Sequence, residues 1–134
     1  MTEDHRVSST SARCVLIVED EILVRMFAVD VLEDAGFEAA QAANGAEALE
    51  HYRARSADLA AVIIDLGLPD RSGDEVAAEL RGLNATLPIV IASGRSEREL
   101  RDRFAADAAV AVLPKPYTEP LLLEALGKLG FSTR

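Results

Sequence analysis

One cysteine in 134 residues rules out an intramolecular disulfide and any cysteine-based metal cluster. Cys14 instead opens the apolar run 14–18, so it reads as a core residue of a protein kept in a reducing, cytoplasmic environment. Long apolar runs are missing too: none approaches the roughly 20 residues that a membrane-spanning helix needs, and the chain is expected to be soluble. Residues 1–13 lack the apolar stretch of a signal peptide, which argues against secretion and leaves them as a disordered tail. Positive charge is scarce, with 14 Lys and Arg against 23 Asp and Glu for a net charge of −9, so the basic footprint of a nucleic-acid binder is absent. Of the two histidines, His5 and His51, both read as surface residues rather than ligands or bases. Internal repeats and low-complexity linkers are absent as well.

What remains is a length suited to one folded unit, with 49% hydrophobic and 28% charged residues. Short apolar runs recur at 14–18, 60–64, 88–92 and 110–113, with a weaker one at 37–40. They lack strict alternation, which predicts strands covered on both faces. Between them lie segments of helical spacing. Residues 22–35 carry Val24, Phe27, Ala28, Val31, Leu32 and Ala35 at one-face intervals, with Gly36 as a stop. Asn44-Gly45 opens the next, with Ala48, Leu49 and Tyr52 on one face, and further helices are predicted over 73–83, 96–106 and 118–129. Ser96 and Thr118 stand as caps for the last two. Five β–α pairs in sequence predict a doubly wound α/β fold with a parallel sheet and right-handed crossovers. Ligands of such sheets bind beyond the carboxyl ends of the strands.

The residues at those ends are therefore the informative ones. The first strand runs into Glu19-Asp20-Glu21, the third into Asp65, the fourth into Ser93-Gly94 and the fifth into Lys115-Pro116. Converging carboxylates repel one another, and a hard cation such as Mg²⁺, which favours oxygen ligands and keeps several waters, relieves that repulsion. Glu19 or Asp20, with Asp65 and a backbone carbonyl near Gly67, supplies a half-filled shell of this kind. Lys115 and the Ser93 hydroxyl suit phosphate oxygens. The set describes a phosphoryl-transfer site with Asp65 as carboxylate nucleophile. Each residue has an ordinary alternative: helix N-caps for the acidic triplet, an Asx-turn for Asp65, a plain turn for Ser93-Gly94 and a solvated charge for Lys115. The functional reading rests on four strand ends bringing compatible chemistry to one place.

From residue 15 to residue 129 the chain resembles the receiver domain of bacterial two-component response regulators. The matching strings are Val-Leu-Ile-Val-Glu-Asp-Glu (15–21), Ile-Ile-Asp-Leu-Gly-Leu-Pro-Asp-Arg-Ser-Gly (63–73), Ile-Val-Ile-Ala-Ser-Gly (89–94) and Leu-Pro-Lys-Pro-Tyr (113–117). The resemblance implies a flavodoxin-like three-layer sandwich of strand order 2-1-3-4-5, with a receiver over 14–130 and a short tail at 131–134. It implies that Glu19 and Asp20 form the acidic pair around Mg²⁺, Asp20 being the more direct ligand, and that Gly67 lends its carbonyl. Asp65 would accept a phosphoryl group from a histidine kinase or histidine phosphotransfer protein. Ser93 and Lys115 would bind that group, and the Lys115-Pro116 bond would be cis. The usual aromatic switch position holds Val112 instead, and Tyr117 follows the turn, where packing or a contribution to the output face is expected. Gly67 and Arg95 occupy positions that tune dephosphorylation in the family, which makes phosphate lifetime depend on Arg95 and the partner. Output is expected as protein binding through the fourth helix, fifth strand and fifth helix, toward a downstream protein that the sequence does not identify, by a monomer or weak homodimer that is either a stand-alone receiver or a piece of a hybrid histidine kinase or longer regulator. Beyond its own phosphorylation and slow dephosphorylation the domain is not expected to be an enzyme. The competing readings are a Mg²⁺-dependent aspartyl-phosphate phosphatase, for which Gly67 lacks the general acid–base side chain, and a degenerate receiver that binds partners without phosphorylation.

Overall fold

The apolar runs become strands because each is buried from both sides, and the helices between them supply the cover. The structure, a computed structural model, describes residues 13–94 and 97–132. Residues 1–12 of the tail predicted over 1–13, and the roles given to Arg95 and Ser96, fall outside the described residues. In chain order the elements are β1 (Cys14–Val18), α1 (Ile22–Asp34), β2 (Glu38–Ala42), α2 (Gly45–Arg55), β3 (Leu59–Asp65), α3 (Gly73–Leu83), β4 (Ile89–Ser93), α4 (Glu97–Phe104), β5 (Val110–Pro114) and α5 (Glu119–Lys128). All neighbouring strands pair in parallel, in the order β2-β1-β3-β4-β5, as the resemblance implies.

Two apolar layers explain why the strands do not alternate between apolar and polar residues. Leu16, Val18, Val62 and Ile64 pack on one side with residues of α2, α3 and α4, including Leu49, Leu80 and Leu100. Val15, Ile17, Ala61 and Ile63 face the opposite layer, against Ala28 and Leu32 of α1 and Leu122 and Leu126 of α5. Every central strand side chain therefore has an apolar neighbour whichever way it points. Among the described residues, no helix is long and apolar enough to cross a membrane.

Local chemistry sets the ends. Asn44 Oδ1 accepts from the Glu47 amide at 2.9 Å and Glu47 Oε1 accepts from the Ala43 amide at 2.8 Å, a reciprocal cap that starts α2. Ser72 and Thr118 cap α3 and α5. Gly36, at φ 98°, takes the left-handed turn after α1, as expected of a helix stop. The second strand begins one residue later than predicted because the Phe37 amide is drawn to the Leu32 carbonyl of α1, so pairing with β1 starts at Glu38. The predicted apolar face of α1 is buried only in its later turns: Phe27 is 40% exposed, and Ile22, Leu23 and Met26 are exposed beside it.

Candidate functional site

Parallel pairing brings the carboxyl ends of β1, β3, β4 and β5 to one edge of the sheet, and that edge carries the charged residues singled out in the sequence. Glu19 follows β1, Asp65 and Ser93 are the last residues of β3 and β4, and Lys115 follows β5. Glu19, Asp65 and Ser93 are the buried polar residues of the described chain, whereas Asp20 is exposed. Carboxylate oxygens of Glu19, Asp20 and Asp65 lie within 4.8 Å of one another, a spacing that suits a shared cation. Lys115 Nζ reaches Glu19 Oε1 at 3.2 Å, Asp65 Oδ1 at 3.5 Å and Glu21 Oε1 at 3.5 Å. Its backbone is fixed as well, since the Lys115 amide donates to the Ser93 carbonyl at 2.7 Å, and the following Lys115-Pro116 bond is cis. Asp65, Leu66, Gly67, Ser93, Gly94 and Lys115 line one open pocket. The Cβ position of Gly67 lies 3.8 Å from Asp65 Oδ2, at the rim of that pocket.

The electrostatics show that one lysine does not balance the cluster. Burial pushes the Glu19 carboxyl above the ordinary glutamate range and the Asp65 charge adds to this, against the opposing pull of the Glu21 amide and Lys115. For Lys115, burial opposes the ammonium form, but Asp65, Glu19 and Glu21 outweigh it and raise the group above its usual value. Tyr117 is pushed up to about 12 by burial first, then by the Glu19 and Asp65 charges. Three carboxylates against one ammonium leave excess negative charge in a site that oxygen ligands fill, which is the donor chemistry of a hard divalent cation.

A pH dependence follows from Glu19. An acid whose folded pKa is raised favours folding while protonated, so its contribution is full below the unfolded value and is lost as pH rises through the folded one. In Mg²⁺-free buffer, the parent protein is expected to lose stability relative to Glu19→Gln as pH climbs past the ordinary glutamate range. Added Mg²⁺ should shrink the gap by stabilising the ionised form. Thermal midpoints of both proteins against pH, with EDTA and with Mg²⁺, check this, and parallel profiles would contradict it.

Several partners were not readable from the sequence. Glu21 is the N-cap residue of α1 but makes no side-chain cap bond, and its carboxylate turns to Lys115 instead. Arg25 donates from Nη1 to the Glu19 carbonyl at 2.7 Å and from Nε to Gln41 Oε1 at 3.1 Å. Asp70 accepts from the Gly45 and Ala46 amides at 2.9 and 3.0 Å, tying the β3–α3 loop to the start of α2. None of these contacts leaves a spacing signal, because each joins residues from separate elements or reverses a local expectation. Of Val112 and Tyr117, singled out at the switch position and after the turn, Tyr117 packs its ring 6.1 Å from that of Phe27, beside the charged site. Val112 is half-buried on the edge strand β5, in a separate hollow with Arg101, Phe104 and Lys128.

Known proteins resemble this chain in sequence and in fold. The sequence model of the response regulator receiver domain matches residues 15–127. Chemotaxis protein CheY of Bacillus subtilis is 32% identical over 118 residues, which cover 87% of this chain and 97% of that protein. Sensor kinase CckA of Brucella abortus is 35% identical over 104 residues, 78% of this chain but 11% of the kinase. Transcriptional regulatory protein PdtaR of Mycobacterium tuberculosis is 36% identical over 115 residues, 85% of this chain and 55% of that regulator. The chain thus spans a small part of CckA and about half of PdtaR. Among solved structures, response regulator protein TrrA from Thermotoga maritima, in complex with Mg²⁺ and BeF, superposes with a TM-score of 0.71 at 28% identity, covering 87% of this chain and 98% of TrrA.

Proposed function

Because the chain belongs to the response regulator receiver domain family, we propose that it is a phosphorylation-dependent switch of two-component signalling in which Asp65 accepts the phosphoryl group. The observation that carries this reading is the buried Asp65 carboxylate at the end of β3, with Lys115 Nζ 3.5 Å away and two further carboxylates within metal-sharing distance. An Asp65 oxygen attacks the phosphorus of a phosphohistidine: the new O–P bond forms as the N–P bond breaks, and the imidazole leaves with the bonding pair and takes a proton. Glu19, Asp20, Asp65 and the Gly67 carbonyl would hold Mg²⁺, which when bound neutralises charge on the phosphoryl oxygens. Lys115, already paired with Asp65, is placed to follow the charge onto the phosphoryl group, and the Ser93 hydroxyl is a donor for one of its oxygens.

The donor in this reading is a protein, a histidine kinase or a histidine phosphotransfer protein, acting in the cytoplasm. The exposed Ile22, Leu23, Met26 and Phe27 support it, because they form an apolar surface beginning directly after the acidic triplet. A partner seated there stands next to Asp65. Output through α4, β5 and α5, with Val112 in place of an aromatic switch, and a monomer or weak homodimer as the working form belong to the same proposal.

Incubation with Mg²⁺ and acetyl phosphate, followed by intact-mass measurement, tests the function. One phosphoryl group per chain is expected. Rapid repeated turnover of phosphate esters would point to a hydrolase instead, and no gain with small donors or kinases would point to a binding module without phosphorylation. Lys115→Ala should still accept phosphate but on the order of 10²-fold more slowly, since a charge positioned for the transferring group is lost. Its amide spectrum should then show little response in α4, β5 and α5, whereas a response equal to that of the parent would remove Lys115 from signal transmission.

A further inference from the structure

The Glu19 backbone is held on both sides of its Cα. Its amide donates to the Ala42 carbonyl of β2 at 3.0 Å, and its carbonyl accepts from Arg25 Nη1 at 2.7 Å. Its side chain is anchored too, with Oε2 accepting from the Glu21 amide at 3.1 Å and Oε1 accepting from Lys115 at 3.2 Å. Arg25 is itself aimed, because its Nε donates to Gln41 of β2 at 3.1 Å while Nη1 points at the carbonyl. The rigid fork of a guanidinium makes these two bonds mutually reinforcing. The Glu19 carbonyl shares a planar peptide with the Asp20 amide, so fixing the one fixes the backbone direction of the other. Asp20 is exposed, and no neighbouring side chain pins its carboxylate by a hydrogen bond among those described. Its position therefore depends on the backbone that carries it.

We propose that Arg25, aimed by Gln41, is a positioning residue for the metal ligand Asp20: by holding the Glu19 carbonyl it fixes the plane of the Glu19–Asp20 peptide and the direction from which the Asp20 carboxylate reaches the cation. The inference rests on the receiver reading, in which Asp20 ligates Mg²⁺. This charge-assisted bond, part-buried between Arg25 and the Glu19 carbonyl, acts on the geometry of a ligand whose freedom is otherwise wide.

Calorimetric titration of the unphosphorylated full chain with Mg²⁺ tests it directly. Arg25→Ala should raise the Mg²⁺ dissociation constant by about ten-fold, the lower end of what outer-shell partners of ligands contribute. Gln41→Ala, at an exposed position, should raise it by a smaller factor in the same direction, and it decides the matter if Arg25→Ala does not fold as judged by its thermal transition. Arg25→Lys keeps the charge but loses the fork and should recover only part of the affinity. With acetyl phosphate, the loss of phosphorylation rate in Arg25→Ala should be greater at limiting than at saturating Mg²⁺. An unchanged dissociation constant in Arg25→Ala, or full recovery in Arg25→Lys, would overturn the proposal, the latter by reducing Arg25 to a bulk charge. A parent protein that binds Mg²⁺ but takes no phosphoryl group sinks the switch reading while leaving the positioning test standing. A parent that is phosphorylated while the Arg25→Ala titration is unchanged sinks the positioning role alone, and a parent that binds no Mg²⁺ overturns both.

Discussion

Asp65→Asn should abolish the phosphoryl mass gain expected of the parent protein with Mg²⁺ and acetyl phosphate. The substitution keeps the size and hydrogen-bonding outline of the side chain and removes the negative charge, and with it the nucleophile. The expected loss is at least roughly 10³-fold, beyond detection on the timescale of the parent reaction, as for enzymes deprived of their attacking group. Unfolding does not account for such a loss. Lys115 keeps Glu19 at 3.2 Å and Glu21 at 3.5 Å as partners, and removing one of several crowded carboxylates relieves repulsion on the buried Glu19. The variant should therefore unfold at or above the parent's temperature in Mg²⁺-free buffer. Calorimetric Mg²⁺ titration gives a second readout, since one of the oxygen ligands proposed for the cation has lost its charge and the affinity should fall. A mass gain retained in Asp65→Asn would move the acceptor to another residue and undo the proposed chemistry.

Gly73→Ala should be the most damaging single-methyl change in the site region, although Gly73 touches no substrate. A Cβ at this position would lie 2.4 Å from the Asp65 carbonyl oxygen, 2.7 Å from Leu66 Cα and 3.0 Å from the Asp65 carbonyl carbon. All three are backbone atoms at the end of β3, and the Gly73 amide already bonds the Leu66 carbonyl at 3.0 Å, so neither side can swing away. Overpacking of this kind costs about 2–3 kcal/mol, and relief comes only by shifting α3 away from β3. The added methyl would press on the backbone carbonyl of Asp65 itself, so phosphorylation should slow together with the loss of stability. Gly82, near the other end of α3, is the internal control: its added Cβ meets nothing within 4 Å. Gly82→Ala should stabilise the protein by up to about 1 kcal/mol through helix propensity and leave phosphorylation alone. Chemical denaturation of the two variants beside the parent checks both signs, and equal stabilities would refute the close-approach argument.

The two glycines show where sequence reading stops. Both fall within 73–83, predicted as one helix, and nothing local tells Gly73 from Gly82; only the approach of β3 does. The same holds for Glu21 and Arg25. In sequence, Glu21 is an acidic residue before a helix, and the expected cap is replaced by an ion pair with Lys115, 94 positions along the chain. Arg25 looks like one more polar residue on an amphipathic helix until β2 supplies Gln41 beside it. Phe27 errs in the opposite sense, since helical spacing places it on the buried face but the burial of α1 begins only at Ala28.

The sequence by itself determined the order of strands and helices, the layer on either side of the sheet, and the four strand ends that carry Glu19, Asp20, Asp65, Ser93 and Lys115. It did so because burial periodicity, caps and stops act over a few residues. The tertiary structure alone decided the distances among those groups, the sharing of Lys115 between three carboxylates, the double anchoring of the Glu19 backbone, and the backbone contact that requires glycine at position 73. Those features are set by which strand lies beside which, and pairing between distant segments leaves no periodic trace in the chain that folds into it.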